Sequence, residues 1–371
     1  MVGAKLKNAR VAAEFSTRKV AELLPTYGVK ISHTTLSNYE RGLSVPGMDV
    51  LVALSELYRR PIQWFVSGLP VFSGVRYRRH KSGLKVSDLA KFEAESLRLF
   101  NAYIALEDRV EPRSRNGLSI NFGSNLTPEN TALALRYKLQ MSESQPVESI
   151  FEILEKMGIR VIDMEADRRI DGLSAKLNDL DIVVVNRTKP TARLRLDAAH
   201  EMFHLLYGDC ESDLAGKIDK DEEDRSMDAA SHFLMPNKVV YDAFKGRSMV
   251  RLVKFKEFYG LSLAAMVYRA SKLGILSAAQ SKSLWIEFSK RGWRQNEPGV
   301  IAPDHPWRFE YLIDVAAHEH KMPWLEISGV TGLSERELKQ RLEDRFGNSE
   351  VEMPPSEEVE RQKNTGLRLV R

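Results

Sequence analysis

The sequence predicts an α+β protein, with an all-α domain at the N-terminus followed by a mainly helical domain built around a small antiparallel sheet. Three observations lead there. Apolar residues recur at three- and four-residue spacing over most of the chain, the spacing of helices with one buried face. Between Ile159 and Asn186 the rhythm turns extended. A length of 371 residues with 43% apolar content exceeds one average domain and is enough to bury more than one core.

Taken in order, residues 1–70 hold four or five short helices, in AKLKNARVAAEF, TRKVAELL, HTTLSNYE and MDVLVALSELY. Ser16 and Ser32 are placed to cap the second and third, and Gly42 and Pro46 punctuate the chain after the third. Residues 71–130 read as a basic linker, GVRYRRHKSGLK, then one long amphipathic helix from Asp88 to Val110 and an Asn-, Ser-, Pro- and Gly-rich connection. Residues 131–298 form the second domain. Helices in ENTALALRYKLQM and VESIFEILEKMG lead into three extended segments, IRVIDM, DGLSAKL and LDIVVVN, with NDLD as the turn between the last two. A helix from about Ala192 to Tyr207 follows, then an acidic stretch from Asp209 to Asp228 and further helices over 237–293. Residues 299–345 are helical, and 346–371 are a polar tail whose composition predicts disorder.

Composition excludes several classes. No run of about 18 apolar residues is present, and MVGAKLKNAR lacks the apolar stretch of a signal peptide, so a cytoplasmic protein is expected. The single cysteine, Cys210, rules out an intramolecular disulfide framework and any zinc site of several cysteines, so a metal would rely on histidines and carboxylates. Residues 1–85 carry 14 Lys and Arg against 5 Asp and Glu, a net +9 within a total of +4, which leaves −5 on the rest. Clustered cations of this kind suit a polyanion such as nucleic acid; a solvated basic surface is the alternative.

The stretch DAAHEMFHLLYG, Asp197 to Gly208, carries the chemistry. HEMFH fits the pattern H-E-x-x-H, in which residues four apart share a helical face, so His200 and His204 offer two imidazoles to one ion. Glu201, rotated by about 100°, can reach water at that ion and act as general base. Catalytic zinc takes a third protein ligand. In DKDEEDRSMD, Glu223 shares a helical face with Met227, Ala230 and Leu234, and a carboxylate on an otherwise apolar face needs a partner, which favours Glu223 over the runner-up Glu222. Tyr207 and His232 are candidate donors to the oxyanion of an amide under attack, and Cys210 could approach the ion or remain a partly buried thiol. An extended substrate could add as a strand to an exposed sheet edge, with LDIVVVN as the candidate edge.

At the N-terminus, ISHTTLSNYERGLSVP resembles the recognition helix and following turn of the Xre/Cro-like helix-turn-helix family, with Glu40, Gly42 and Pro46 on its pattern. The resemblance implies that Ser32, His33, Thr34, Thr35, Ser37 and Asn38 face base edges and phosphates of a double-stranded operator. The inserted PTYGVK lengthens the turn before that helix. Paired half-sites would then call for a homodimer, with the Asp88–Val110 helix either as its interface or packed within the monomer.

From Thr131 to Pro298 the chain resembles the ImmA/IrrE family of metallopeptidase-like regulators, on DGLSAKLNDLDIVVVN, RLRLDAAHEMFHLLYGD and EDRSMDAASHFLMP. The family's later motif, Glu-x-x-Ala-Asn-x-Phe-Ala ending in Leu-Met-Pro, falls on Glu223, Ala230, Leu234, Met235 and Pro236. Ser226, Met227 and Ala229 depart from it. The resemblance implies a zincin-like domain that holds zinc, with manganese as the alternative, through His200, His204 and Glu223. It also implies cleavage or removal of a repressor-type protein under stress or mobile-element control. The rival expectation is a transcription factor or antitoxin-like regulator whose metal is structural or sensory; such a protein has no use for the general base Glu201.

Overall fold

Ser16 and Ser32 accept hydrogen bonds from the amides of Lys19 and Thr35, and so start two of the five N-terminal helices. The computed structural model describes residues 2–347 apart from 14, 59–61, 67–71, 80–85, 113–119, 121, 123–125, 178–179 and 212–219. Nearly all of the polar tail expected at 346–371 lies outside the described residues. Helices α1 (Val2–Ala12), α2 (Thr17–Leu23), α3 (His33–Glu40), α4 (Met48–Leu57) and α5 (Ile62–Val66) close over Leu6, Val20, Leu24, Leu36, Leu54 and Phe65, all fully buried. The inserted PTYGVK becomes a short 3-10 turn over Leu24–Tyr27, ended by Gly28 in the left-handed region. After α3, Gly42 at φ 72° lets its own amide reach Tyr39 O and the amide of Leu43 reach Asn38 O, which satisfies two carbonyls at the helix end. Arg10 on α1 grips the Glu40 carboxylate at 2.6 and 2.8 Å, tying α1 to the end of α3.

The stretch expected as a basic linker instead supplies a strand, β1 (Phe72–Arg79). Val75 and Tyr77 alternate there with Arg76 and Arg78, a period-two pattern that the surrounding charge obscures. Helix α6 (Val86–Val110) follows, then α7 (Pro128–Lys138) and α8 (Ile150–Lys156). The three extended segments form β2 (Arg160–Met164), β3 (Ile170–Leu177) and β4 (Leu180–Asn186). The order β1-β3-β4-β2 corrects the expectation of an antiparallel sheet: β1 and β4 run antiparallel to β3, whereas β2 pairs parallel with β4, Arg160 opposite Ile182 through Met164 opposite Asn186. Strand β4 inserts between its two predecessors, so the strands do not follow one another as a meander. It is also hydrogen-bonded on both sides and cannot be the open edge foreseen for a substrate.

The remaining helices are α9 (Thr191–Tyr207), α10 (Lys220–Leu234), α11 (Asn237–Phe244), α12 (Met249–Tyr259), α13 (Leu263–Lys272), α14 (Ala278–Lys290), α15 (Arg308–Asp314), α16 (Trp324–Thr331) and α17 (Glu335–Phe346). Val161, Val183 and Val185 face a core shared with α7 to α14. Ile162, Leu173, Ala175, Ile182 and Val184 point the other way, as alternation along strands requires. That second face is covered by Phe92, Phe100, Tyr103 and Leu106 of α6 and by Phe309, Leu312, Ile313 and Leu338 of the C-terminal helices. Helix α6 therefore spends its apolar stripe inside the chain, the second of the two placements its sequence allowed. Polar ties hold the C-terminal segment: Glu107 receives Arg160 at 3.0 Å and Arg308 at 3.3 Å, and Asp304 accepts from Ser149 Oγ and the Ile150 amide while pairing with Arg195. Among the described residues, no helix is long and apolar enough to cross a membrane.

Candidate metal centre

Helix α9 runs for 17 residues with Ala, Leu, Met and Phe toward the sheet and α10, and ends where Gly208 adopts φ 76°. His200 and His204 sit one turn apart on it, both 1% exposed, with their Nε2 atoms 2.9 Å from each other. Helix α10 crosses α9 and delivers Glu223 to both rings: Oε2 lies 3.3 Å from His200 Nε2 and Oε1 lies 3.3 Å from His204 Nε2. Among the described residues, these three form the group of His, Cys, Asp or Glu side chains whose donor atoms all lie within 4.8 Å of one another. Two imidazole nitrogens and one carboxylate are the donors a zinc ion takes when a further position is left for water or substrate. Glu223 retains 22% side-chain exposure, so the site opens on its side. The residues present fit such an ion.

The neighbours of this triad do what the surroundings of a metal site commonly do. His204 Nδ1 donates to Asp209 Oδ2 at 2.7 Å, which directs Nε2 toward Glu223 and His200. Asp209 is held in turn by Arg225 at 2.6 Å, and the Ser226 hydroxyl lies 3.2 Å from the same Nδ1. Burial works to lower the His204 pKa, but hydrogen bonds to Asp209 and Glu223 and the charge of Glu201 outweigh it and raise it to about 9. For Glu223, burial favours the neutral form, yet the two imidazoles hold its carboxyl well below the usual range.

Glu201 is fully buried on the sheet side of α9. Ser174 Oγ of β3 donates to its Oε2 at 2.7 Å. Gly172 lies two residues earlier on β3, where a Cβ would make ordinary contact with Glu201 Oε1 at 3.6 Å but would stand only 2.6 Å from Val184 O. Cys210 is buried, with Sγ 3.7 Å from Ser174 Oγ.

The other expected residues distribute unevenly. Tyr207 is buried near the end of α9, with the Arg225 guanidinium 4.1 Å from its ring centroid. His232 lies nine residues beyond Glu223, half a helical rotation away on α10. There its Nδ1 meets Arg269 Nη2 at 3.1 Å, and burial together with the Arg269 and Lys272 charges pushes its pKa down to about 3, so the structure does not bring it to the triad. Glu222 is outside the triad as well. On α3, Ser32, His33 and Thr34 are exposed, while Thr35, Ser37 and Asn38 are half-buried; Ser32 and Thr35 also share a 2.8 Å hydrogen bond within the cap. Sequence reasoning missed Asp209, Arg225, Ser226 and Ser174, of which Asp209 alone carried a signal, standing directly after the helix-ending Gly208.

Residues 6–65 match the family described as helix-turn-helix, and residues 154–271 match the IrrE N-terminal-like domain of the M78 peptidases. The chain thus joins a region similar to helix-turn-helix domains to one similar to the IrrE-like, peptidase-like domain. No curated protein matches it. The IrrE-like match begins in α8 and ends in α13, so it encloses β2 to β4, Glu201 and all three triad residues. Strand β1, helix α6 and the C-terminal helices lie outside both matches.

Proposed function

We propose that this chain is a DNA-binding transcriptional regulator whose peptidase domain is zinc-dependent and cleaves a repressor-type protein, in stress or mobile-element control. The observation that carries the reading is the convergence of His200, His204 and Glu223 beside a buried Glu201. A divalent ion held by the three donors, zinc or alternatively manganese, supplies Lewis acidity to a carbonyl and to water. The chain supplies the rest. Glu201 takes the proton of the attacking water and later returns it to the leaving amine, while Ser174 holds its Oε2 in place. Asp209 keeps His204 in the tautomer that leaves Nε2 free to donate its lone pair. Tyr207 is the remaining candidate oxyanion donor. The helix-turn-helix domain brings this activity to an operator in the cytoplasm, with Ser32, His33 and Thr34 toward the duplex and a homodimer matching paired half-sites.

One observation favours the second reading, a regulator with a structural or sensory metal and no turnover: Met227 stands where the family motif has Asn. Elemental mass spectrometry of purified protein tests the first step. Bound zinc that disappears in His204→Ala and Glu223→Ala supports the triad; no metal, with none taken up on addition, sinks it. Incubation with candidate repressors then separates the readings. Cleavage that Glu201→Gln abolishes while keeping its metal supports the peptidase, and cleavage by neither form leaves the structural or sensory metal.

A further inference from the structure

The sheet edge beside the metal centre is occupied by the chain itself. Strand β3 supplies Ser174, whose hydroxyl donates to Glu201, and Gly172, where an added Cβ would stand 3.6 Å from Glu201 Oε1. On its open side it carries β1, which pairs antiparallel from Phe72 opposite Leu177 to Arg79 opposite Ile170. Arg76 stands opposite Ser174 and Arg78 opposite Gly172, so the pairing runs beside the general base. Strand β1 also packs on the Asp209–Glu211 segment, whose Asp209 holds His204.

Three features mark β1 as an added strand. It comes from the stretch between the DNA-binding domain and α6, far in sequence from β3 and joined to it by no hairpin. It lies outside the residues that match the IrrE-like domain. Its register is interrupted between Ser73 and Arg76 and again between Arg78 and Arg79, which confines regular pairing to the few residues opposite Gly172–Ser174. Interrupted ladders are weaker, and the backbone bonds that β1 makes are those any extended peptide can make.

We infer that residues 72–79 are a resident strap on the peptide-binding edge of the metal centre, and that a protein substrate engages by laying an extended segment along β3 in place of β1. The inference rests on the peptidase reading for its purpose, but its geometry is tested separately. A strap of this origin places access to the site under the control of the segment that leaves the DNA-binding domain.

The probe is a fluorescein-labelled peptide of residues 72–79, added to the zinc-loaded full chain and followed by anisotropy. In an antiparallel ladder, alternate residues direct their N–H groups to a given neighbour, so Arg76→Pro with Tyr77→Pro removes a β3-facing donor whichever of the two carries it. This double variant is expected to bind the peptide at least tenfold more tightly than wild type, and amides of residues 170–177 are expected to exchange faster in it when no peptide is present. A variant that keeps its metal and helix content yet gains neither property overturns the strap.

Should the double variant not fold, Ser73→Cys with Lys176→Cys decides, because the two positions are register partners and the native Cys210 is buried. Oxidation is expected to weaken peptide binding at least tenfold and reduction to restore it; equal binding in both states overturns the inference. Peptide that binds as described but is cut by no form of the protein leaves the strap standing and removes the peptidase reading instead.

Discussion

Asp209 and His204 are five residues apart across a helix end, and the turn at Gly208 brings the carboxylate back to 2.7 Å from the imidazole Nδ1. The arrangement fixes which ring nitrogen faces Glu223, and Arg225 holds the other carboxylate oxygen at 2.6 Å. Replacing Asp209 by Ala is expected to weaken metal binding by roughly 10- to 100-fold, the usual cost of losing such a supporting carboxylate. Competition with a metal chelator reads this directly, and an unchanged affinity would count against the orienting role.

Proton competition gives the second expectation. In the metal-free protein His204 holds its proton up to about pH 9. Since the ion must displace that proton, apparent affinity is expected to rise about tenfold per pH unit below 9 and to level off above it. Titrations at pH 6, 7 and 8 are sufficient; a flat profile would show that His204 binds no proton in competition with the ion.

Gly172 offers a steric test. A Cβ at this position would lie 2.6 Å from the backbone oxygen of Val184, closer than side chains approach, and relief requires β3 and β4 to shift. Gly172→Ala is expected to destabilise the fold by roughly 1–3 kcal/mol, the range for an overpacked interior. Thermal unfolding of the metal-free and metal-loaded protein measures it, and an unchanged midpoint refutes the packing account.

Glu155 yields a pH effect remote from the His200, His204 and Glu223 triad. Burial raises its pKa from 4.5 to about 7, against the lowering effect of the Arg308 and Trp307 amides, each 3.2 Å from Oε1. The folded chain therefore binds this proton more tightly than the unfolded chain. Its contribution to stability is full below about pH 4.5, falls as the pH rises to about 7 and is constant beyond, a span on the order of 3 kcal/mol at most. Glu155→Gln keeps an oxygen for the two amides and is expected to remove this slope. Urea midpoints at pH 5 and pH 8 that keep the same difference in the variant would refute it.

Much of this architecture was legible because local signals and tertiary structure agree. His200, His204 and Glu223 could be brought together on paper since helical periodicity alone sets their faces, and Ser16 and Ser32 cap helices as their positions foretold. What could not be read depends on contacts distant in sequence. Nothing local tells β2 to pair with β4 rather than β3, because parallel and antiparallel partners ask for the same apolar residues at these buried positions. Strand β1 was hidden for a related reason: its arginines read as solvated linker until β3 is there to receive its backbone. His232 was misplaced by chemistry without geometry, being a plausible donor that α10 turns toward Arg269.

The joint at Asp304 bears on how the protein is made. This carboxylate caps the start of α8 across 154 residues of chain, and Phe309, Leu312 and Leu338 close the second face of the sheet. A ribosome that has finished the residues of the metal centre has thus not yet produced the helices that cover the strands behind it. Nascent chains stalled after residue 298 are expected to be digested by added protease throughout this domain, while those stalled after residue 350, once clear of the ribosome, resist. The residues that match the helix-turn-helix family, 6–65, are synthesised ahead of both. Translation therefore delivers the helix-turn-helix part first and the covered IrrE-like part last, an interval in which the one is present without the other.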